Sequence, residues 1–354
     1  MAERVLMKGN EALAEAAIQA GCRHFFGYPI TPQTELAAYM AKRMPKIGGT
    51  YLQAESEISA VNMVLGAASA GVRAMTSSSS PGISLKTEGI SYMAGSDVPA
   101  LIINVQRGGP GLGGIQPSQS DYWQATRAPG HGDLHILVFA PSSVQEMVDL
   151  VDHAFDTAEK YRMPAMILAD GMLGQMMEPV VIKDKEAKEP NKKEWATCGH
   201  QNKREHNIIN SLFLQPQDLE DIVKARFERY EIIKKNEAMC EEYMLDDAEY
   251  VLVSFGATSR ICKAAVREAR EKGIKAGLIR PITLWPFPVE NIKKAAKTAK
   301  EFMSVEMNMG QMVDDVKLAV NGACPVKFFG RTGGIIPTPA EVLQQIEKMA
   351  GGEK

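Results

Sequence analysis

Three groups of residues in this 354-residue chain have the types and spacing for chemistry. The first is Tyr28-Pro29-Ile30-Thr31-Pro32, where a short apolar run meets Gly27 and then a hydroxyl between two prolines. Thr31 reads as an N-cap with Pro32 at the first helical position, where proline loses no hydrogen bond. Such a strand, tight turn and helix leaves a hydroxyl and free N–H groups at the carboxyl end of a strand. Open α/β sheets hold ligands there. The same pattern also serves as a plain capped helix.

The second group is Glu57. Its neighbours (Ile58, Ala60, Val61, Met63, Val64, Leu65, Ala67, Ala68) are apolar nearly all round, so a helix over 55–70 is expected to be buried. A carboxylate there is costly unless it is paired or has a task, and burial raises its pKa. The other reading is an acid favoured by the helix dipole, which suits Glu55. The third group is Gln106-Arg107-Gly108-Gly109-Pro110-Gly111, directly after the apolar run 98–105. Arg107 then leaves the strand at its carboxyl end, with a side chain suited to bidentate capture of a carboxylate. The alternative is a solvent-facing arginine on a flexible loop. The loop fits neither G-x-G-x-x-G nor G-x-x-x-x-G-K-[ST]. Residues 77–80, four serines that include Ser80, read as a phosphate cradle or as a polar loop. Gly330-Arg331-Thr332-Gly333-Gly334 reads as a turn.

Alternating strands and helices must position these groups. The pattern predicts helix 10–20 (capped by Asn10, ended by Gly21), strand 23–28, helix 31–44, strand 50–53 and helix 55–70. Strand 72–76, helix 83–94, strand 98–105 and a glycine-rich loop 106–133 follow. Strand 134–140, helix 143–161 with a capping box from Ser142 and Gln145, and strand 165–169 complete the unit. This order argues for an α/β domain over 1–180 with a doubly wound, mostly parallel sheet. Residues 181–246 read as a charged, largely helical linker excursion, charged at 183–193 and helical over 219–243 with no clear strand. The alternation resumes in a second, smaller α/β domain over 247–350. It has strands 250–255, 276–279, 301–306 and 325–329, helices ending near 272 and spanning 289–299 and 311–320, and a turn at Arg280-Pro281-Ile282-Thr283-Leu284-Trp285-Pro286.

Composition excludes several classes. The chain is 45% hydrophobic and 23% charged with net charge −3, and no basic stripe marks a nucleic-acid or membrane surface. No apolar run reaches the roughly 18 residues of a membrane span. The first residues lack an apolar signal region, so a cytoplasmic location is expected. Cys22, Cys198, Cys240, Cys262 and Cys324 are odd in number, far apart and without a C-x-x-C pair. The chain cannot hold an iron–sulfur cluster or a four-cysteine zinc by itself. His131 and His135 flank Asp133 and read as a polar loop or a metal site.

The ordered set Tyr28-Pro29-Ile30-Thr31-Pro32, Ser56-Glu57, Ser79-Ser80-Pro81-Gly82 and Gln106-Arg107-Gly108-Gly109-Pro110 resembles the α subunit of 2-oxoacid:ferredoxin oxidoreductases. The resemblance extends over nearly the whole chain. Met7-Lys8-Gly9-Asn10-Glu11-Ala12, Ala54-Glu55-Ser56-Glu57 and Gly111-Leu112-Gly113-Gly114-Ile115-Gln116-Pro117-Ser118-Gln119 look closest to the branched-chain, 3-methyl-2-oxobutanoate (2-ketoisovalerate) type. The 2-oxoglutarate type is the near neighbour. The resemblance implies a thiamine-diphosphate pyrimidine-binding domain followed by one similar to the transketolase C-terminal domain. It implies that Glu57 hydrogen-bonds the aminopyrimidine ring nitrogen, favouring the tautomer that removes the thiazolium C2 proton. Tyr28, Pro29, Ile30 and Ser80 would line the cofactor site, Thr31 would contact substrate, and Arg107 would hold the 2-oxoacid carboxylate.

The G-D-G signature of the Mg²⁺-diphosphate site is missing, since Ala169-Asp170-Gly171 does not supply it, and so are cluster cysteines. Mg²⁺, diphosphate and iron–sulfur clusters are therefore expected on partners: a β subunit with the diphosphate and Mg²⁺ site, a γ subunit and a ferredoxin-like δ subunit. Coenzyme A would take the acyl group and ferredoxin the electrons. Against this active-site-bearing subunit stand a non-catalytic scaffold subunit and a free-standing dinucleotide-binding dehydrogenase. The last needs a fingerprint that the sequence lacks.

Overall fold

The computed structural model describes residues 4–182 and 193–351. The charged run 183–192, part of the expected linker, lies outside the described residues. The strands are β1 (Arg4–Lys8), β2 (His24–Gly27), β3 (Thr50–Gln53), β4 (Ala74–Ser78), β5 (Leu101–Gln106), β6 (Leu137–Phe139) and β7 (Ala165–Asp170). They continue as β8 (Met177–Val181), β9 (Cys240–Tyr243), β10 (Tyr250–Val253), β11 (Ala276–Pro281), β12 (Thr283–Trp285), β13 (Glu301–Glu306) and β14 (Val326–Gly330). The helices are α1 (Gly9–Gln19), α2 (Thr34–Arg43), α3 (Glu57–Ser69), α4 (Ser80–Gly95), α5 (Tyr122–Thr126) and α6 (Val144–Tyr161). Then come α7 (Gly171–Gln175), α8 (Pro216–Asn236), α9 (Gly256–Glu271), α10 (Val289–Ala295), α11 (Met312–Val320) and α12 (Pro339–Met349).

A seven-stranded sheet in the order β12-β6-β7-β5-β4-β2-β3 is parallel throughout except for β12 at its edge. Its central strands β5 and β7 are wholly buried, as their unbroken apolar runs require of a sheet covered on both faces. Helix α1 packs on α2 and α6, while α3 packs on α4. The second sheet runs β14-β13-β10-β11-β9, parallel except for β9. Strands β1 and β8 form a separate antiparallel pair. The fold is thus α/β with mostly parallel sheets, as expected.

Four local expectations are corrected. Helix α2 begins at Thr34 after an N-cap position at Gln33, so Thr31 is no cap and Pro32 lies outside the helix. The Ile30–Gln33 turn wins because buried side chains hold it. Gln33 Nε2 donates to the Tyr28 carbonyl (3.3 Å), Ser77 Oγ donates to Gln33 Oε1 (2.6 Å) and Asn10 Nδ2 donates to the Pro32 carbonyl (2.7 Å). Asn10 is accordingly a buried residue inside α1 rather than its cap. Helix α6 is capped one residue later than expected. Ser143 Oγ accepts from the Glu146 N–H (3.1 Å), and the Glu146 carboxylate accepts from the Ser142 N–H (2.7 Å).

Two stretches that read as loop or linker also belong to sheets. Cys240–Tyr243, expected to be helical, is the antiparallel edge of the second sheet. Thr283–Trp285, expected to turn, crosses to the first sheet and pairs with β6. Backbone pairing to a distant edge carries no local sequence signal. His135 is packed into the fold and His131 is exposed. The His135 ring stacks on Trp285 at 4.8 Å, and the His135 main-chain N–H donates to Tyr230 Oη at 3.1 Å. Among the described residues no cluster could hold a metal ion.

The junction between the two sheets carries a buried cation. Arg280, 3% exposed on β11, donates to both Glu146 oxygens (2.6 and 3.0 Å) on α6 and to Glu241 (2.7 Å) on β9. Arg280→Met would leave two carboxylates facing each other across the junction. Because both acids are partly exposed, the expected loss is roughly 3 kcal/mol, the lower end for a broken buried pair. It would be read as a lower urea midpoint, and an unchanged midpoint would show that the triad contributes nothing.

Candidate functional site

Parallel strands bring their carboxyl ends to one edge, and the site residues lie on the segments that follow β2, β3, β4, β5 and β7. The structural centre is the first turn of α4. The Ser80 hydroxyl donates to Asp121 Oδ2 (2.6 Å) and accepts from the Arg107 main-chain N–H (3.0 Å), while the Ser80 N–H donates to Asn104 Oδ1 (3.2 Å). Asn104 Nδ2 also donates to Asp121 Oδ2 (2.9 Å). Burial pushes the Asp121 carboxyl up, against the lowering effect of these two donors. Ser80 therefore locks α4 to the end of β5, and its hydroxyl is already committed.

Glu57 is the first residue of α3, whose cap is the Ser56 hydroxyl accepting from the Ser59 N–H. It is 6% exposed and faces the first turn of α4. A methyl group built on Gly82 would overlap Ser78 Oγ and lie 2.6 Å from Glu57 Oε1, so only glycine lets the two helices meet here. Among the described residues nothing donates a hydrogen bond to the Glu57 carboxylate. The Ser78 and Ser79 hydroxyls beside it are buried without partners. Of the four serines read as a phosphate cradle, Ser77 and Ser80 are thus latched inside the fold and the middle two keep free hydroxyls.

Arg107 is buried, 7% exposed. Its Nη1 donates to the Thr31 carbonyl (3.0 Å) and its Nη2 to the Leu112 carbonyl (3.1 Å), while Nε is buried without a partner. Among the described residues no carboxylate lies within ion-pair distance of this guanidinium. The structure thus joins Thr31 and Arg107 directly. Thr31 and Pro29 are exposed, and Tyr28 and Ile30 half-buried, along the turn beside them. The glycine loop folds as a hairpin, with Gly108 N–H donating to the Gln116 carbonyl and an Arg107–Pro117 bridge at its base. Its tip exposes Leu112 and Ile115.

Three supporting residues were not singled out from the sequence. Gln119 fastens the loop to the second sheet, donating to the Phe255 carbonyl (2.8 Å) and accepting from Thr258 Oγ1 (2.9 Å) and the Met307 N–H (3.0 Å). Lys86 is fully buried beneath α3. Its spacing with Ile83, Ile90 and Met93 on the buried face was the available signal. Asp170 caps α7 by accepting from the Met172 (2.9 Å) and Leu173 (3.1 Å) N–H groups, and it also accepts from the Ala257 N–H. Helix α7 in turn braces the Thr31 turn, because Gln175 Nε2 donates to the Pro32 carbonyl (3.4 Å).

Burial pushes the Asp170 carboxyl up to about 6 from an ordinary 3.8. The folded protein thus holds this proton more tightly than the unfolded chain. The stability it contributes is full below about pH 4 and is lost as pH rises through about 6. Asp170→Asn keeps the capping oxygen and stays neutral, so its melting temperature relative to the parent should rise steadily from pH 4 to 6 and then level. Melting curves that keep a constant separation across that range would show that Asp170 ionises normally.

Residues 15–244 match the family described as pyruvate flavodoxin/ferredoxin oxidoreductase, thiamine diphosphate-binding, and residues 248–342 match pyruvate:ferredoxin oxidoreductase core domain II. The ketoisovalerate oxidoreductase subunit VorB of Methanothermobacter marburgensis is 47% identical over 346 residues, 98% of this chain and 98% of that protein. The 2-oxoglutarate synthase subunit KorA of Methanocaldococcus jannaschii is 39% identical over 371 residues, 96% of this chain and 98% of that protein. Among solved structures, the 2-oxoglutarate:ferredoxin oxidoreductase from Magnetococcus marinus with 2-oxoglutarate, coenzyme A and succinyl-CoA bound is 26% identical with a TM-score of 0.87. That match covers 98% of this chain and 65% of the other. A split-gene transketolase (TM-score 0.60, 12% identical) shares the fold alone. With residues 15–244 and 248–342 matched in order, the chain belongs to the thiamine-diphosphate-dependent pyruvate flavodoxin/ferredoxin oxidoreductase family.

Proposed function

We propose that the chain is the pyrimidine-side subunit of a 2-oxoacid:ferredoxin oxidoreductase acting on a branched-chain 2-oxoacid, 3-methyl-2-oxobutanoate. With coenzyme A and oxidised ferredoxin as co-substrates, the products are the acyl-CoA, CO₂ and reduced ferredoxin. One observation carries this reading: among the described residues nothing donates a hydrogen bond to the buried Glu57 carboxylate, which packs against α4 where Gly82 leaves room for it. The unpartnered Ser78 hydroxyl lies against the same glycine. These residues fit the polar edge of an aminopyrimidine. Bound thiamine diphosphate supplies the nucleophilic carbon and the electron sink for decarboxylation.

Glu57 holds a proton at the pyrimidine ring nitrogen, and the glycine at position 82 lets it approach. The Tyr28-Pro29-Ile30 turn walls the coenzyme. Ser80 shapes the wall through its backbone, since its hydroxyl is bound to Asp121. Arg107 takes the 2-oxoacid carboxylate, a ligand that supplies the counter-charge this buried guanidinium lacks. Thr31 stands next to it and contacts the substrate. Leu112 and Ile115 offer an aliphatic side chain an apolar neighbour, which favours a branched-chain acid. The relation to KorA proteins supports 2-oxoglutarate as the second reading. Mg²⁺ with the diphosphate, and the clusters that pass electrons to ferredoxin, belong to partner β, γ and δ subunits in a cytoplasmic complex.

The test is anaerobic co-expression with the neighbouring subunits and an assay of coenzyme-A-dependent dye reduction over a panel of 2-oxoacids. Preference for 3-methyl-2-oxobutanoate supports the proposal, and preference for 2-oxoglutarate changes only the substrate. No turnover from a complex carrying coenzyme and intact clusters overturns it. Glu57→Gln should lower kcat by about 10²–10⁴-fold with assembly intact, whereas full activity in that variant would make the chain a scaffold. Arg107→Met should act mainly on KM for the 2-oxoacid and leave KM for coenzyme A in place.

A further inference from the structure

Lys86 is a fully buried lysine in the middle of α4. Its Nζ donates to Thr76 Oγ1 (3.1 Å) and to the main-chain carbonyl of Glu57 (3.4 Å), both neutral acceptors. Among the described residues no carboxylate lies within ion-pair distance of it. Two glycines of α4 bracket this lysine on the face turned to α3. A methyl group on Gly82 would meet Glu57, and one on Gly89 would meet Val61 Cγ1 at 2.5 Å. The ammonium is thus sealed where the two helices come closest, one turn along α4 from the glycine that admits the Glu57 carboxylate.

Few charges surround it. Strand β4 (Ala74–Ser78) contributes none. Beside α3, the exposed Glu55 carboxylate binds the Ser59 hydroxyl (2.6 Å), and on α4 the exposed Glu88 binds the Tyr92 hydroxyl (2.5 Å). Glu57 is the charge that acts on Lys86. Burial pushes the lysine down to about 8, with Glu57 opposing that shift. An aliphatic side chain of similar length would fill the same space without the desolvation cost. The cation therefore needs a reason.

We propose that Lys86 is a positioning residue for Glu57: its ammonium pins the main chain at the first residue of α3 and sets a positive charge beside the carboxylate and the coenzyme ring nitrogen that the carboxylate would face. This rests on the reading of Glu57 given above. A cation beside a carboxylate and a ring nitrogen that would share a proton lowers the affinity of such a pair for it. Their proton then stays transferable near neutral pH, where a general acid–base pair works best. Removing the cation raises the pair's midpoint.

The experiment uses the assembled complex loaded with thiamine diphosphate and follows the near-ultraviolet circular dichroism of the bound coenzyme against pH. The forms compared are the parent, Lys86→Met, Lys86→Arg and Glu57→Gln, with Lys86→Gln as a second charge-removing variant should Lys86→Met not assemble. Lys86→Met should bind coenzyme at the parent's stoichiometry and shift the dichroic midpoint upward by roughly one pH unit. The acid limb of kcat should move with it, and Lys86→Arg should bring the midpoint back toward the parent's. Glu57→Gln should lose the transition. A midpoint unchanged in the charge-removing variant, while Glu57→Gln still loses the transition, overturns the role of Lys86 alone. A Glu57→Gln complex that keeps both transition and turnover overturns the Glu57 reading beneath it.

Discussion

The arrangement depends on how closely the first turn of α4 can approach α3. Gly82 sets that distance, because any side chain there would strike Ser78 and Glu57. Its need is for space, since the residue sits in a regular helix. The approach is useful only if the turn cannot slide, and the Ser80–Asp121–Asn104 node prevents that. The same serine takes the main-chain N–H of Arg107. One helical turn thereby carries the acid-facing wall on one side and anchors the arginine on the other.

The second sheet holds the base of the glycine loop. Gln119 is saturated by Phe255, Thr258 and Met307, and Asn308 Nδ2 donates to its carbonyl at 2.8 Å. At the loop tip the Leu112 carbonyl accepts from Arg107, while the Leu112 residue is 84% exposed. A fixed base and an apolar, exposed tip give the loop a firm Arg107 with an adaptable lip. In the proposed site such a lip would tune specificity for the 2-oxoacid side chain, with charge recognition left to the base.

How much of this was legible follows from where each signal lives. Buried parallel strands announce themselves as apolar runs, so Ala165–Asp170 and Glu301–Glu306 fall within a residue of where the pattern puts them. Glu57 stood out because its helix is otherwise apolar, and Arg107 because a strand ends just before it. The Thr31 cap failed because local capping rules cannot see Asn10 or Ser77, whose hydrogen bonds across the fold choose a turn instead. Strand β4 runs on into Ser77 and Ser78 because β5 pairs with them, although serines read as loop. Lys86 carried a legible signal, a charge at a buried helical position, that a search for acids and nucleophiles passes over.

Glu57, Lys86 and Arg107 are three buried charges, and none has an opposite charge at ion-pair distance among the described residues. Folding alone would not select this, because an unpaired buried charge is among the costlier features a core can hold. Neutral hydrogen bonds soften the cost for the two cations, and the Glu57 carboxylate lacks even those. Stability withheld in this way is recovered when a ligand brings complementary groups, because whatever binds only the folded state stabilises it by mass action. A carboxylate at Arg107 and a ring nitrogen at Glu57 are the groups whose charge and hydrogen bonding match what the fold leaves unsatisfied. In the proposed site, the electrostatic imbalance of the described fold is therefore the physical form that binding specificity would take.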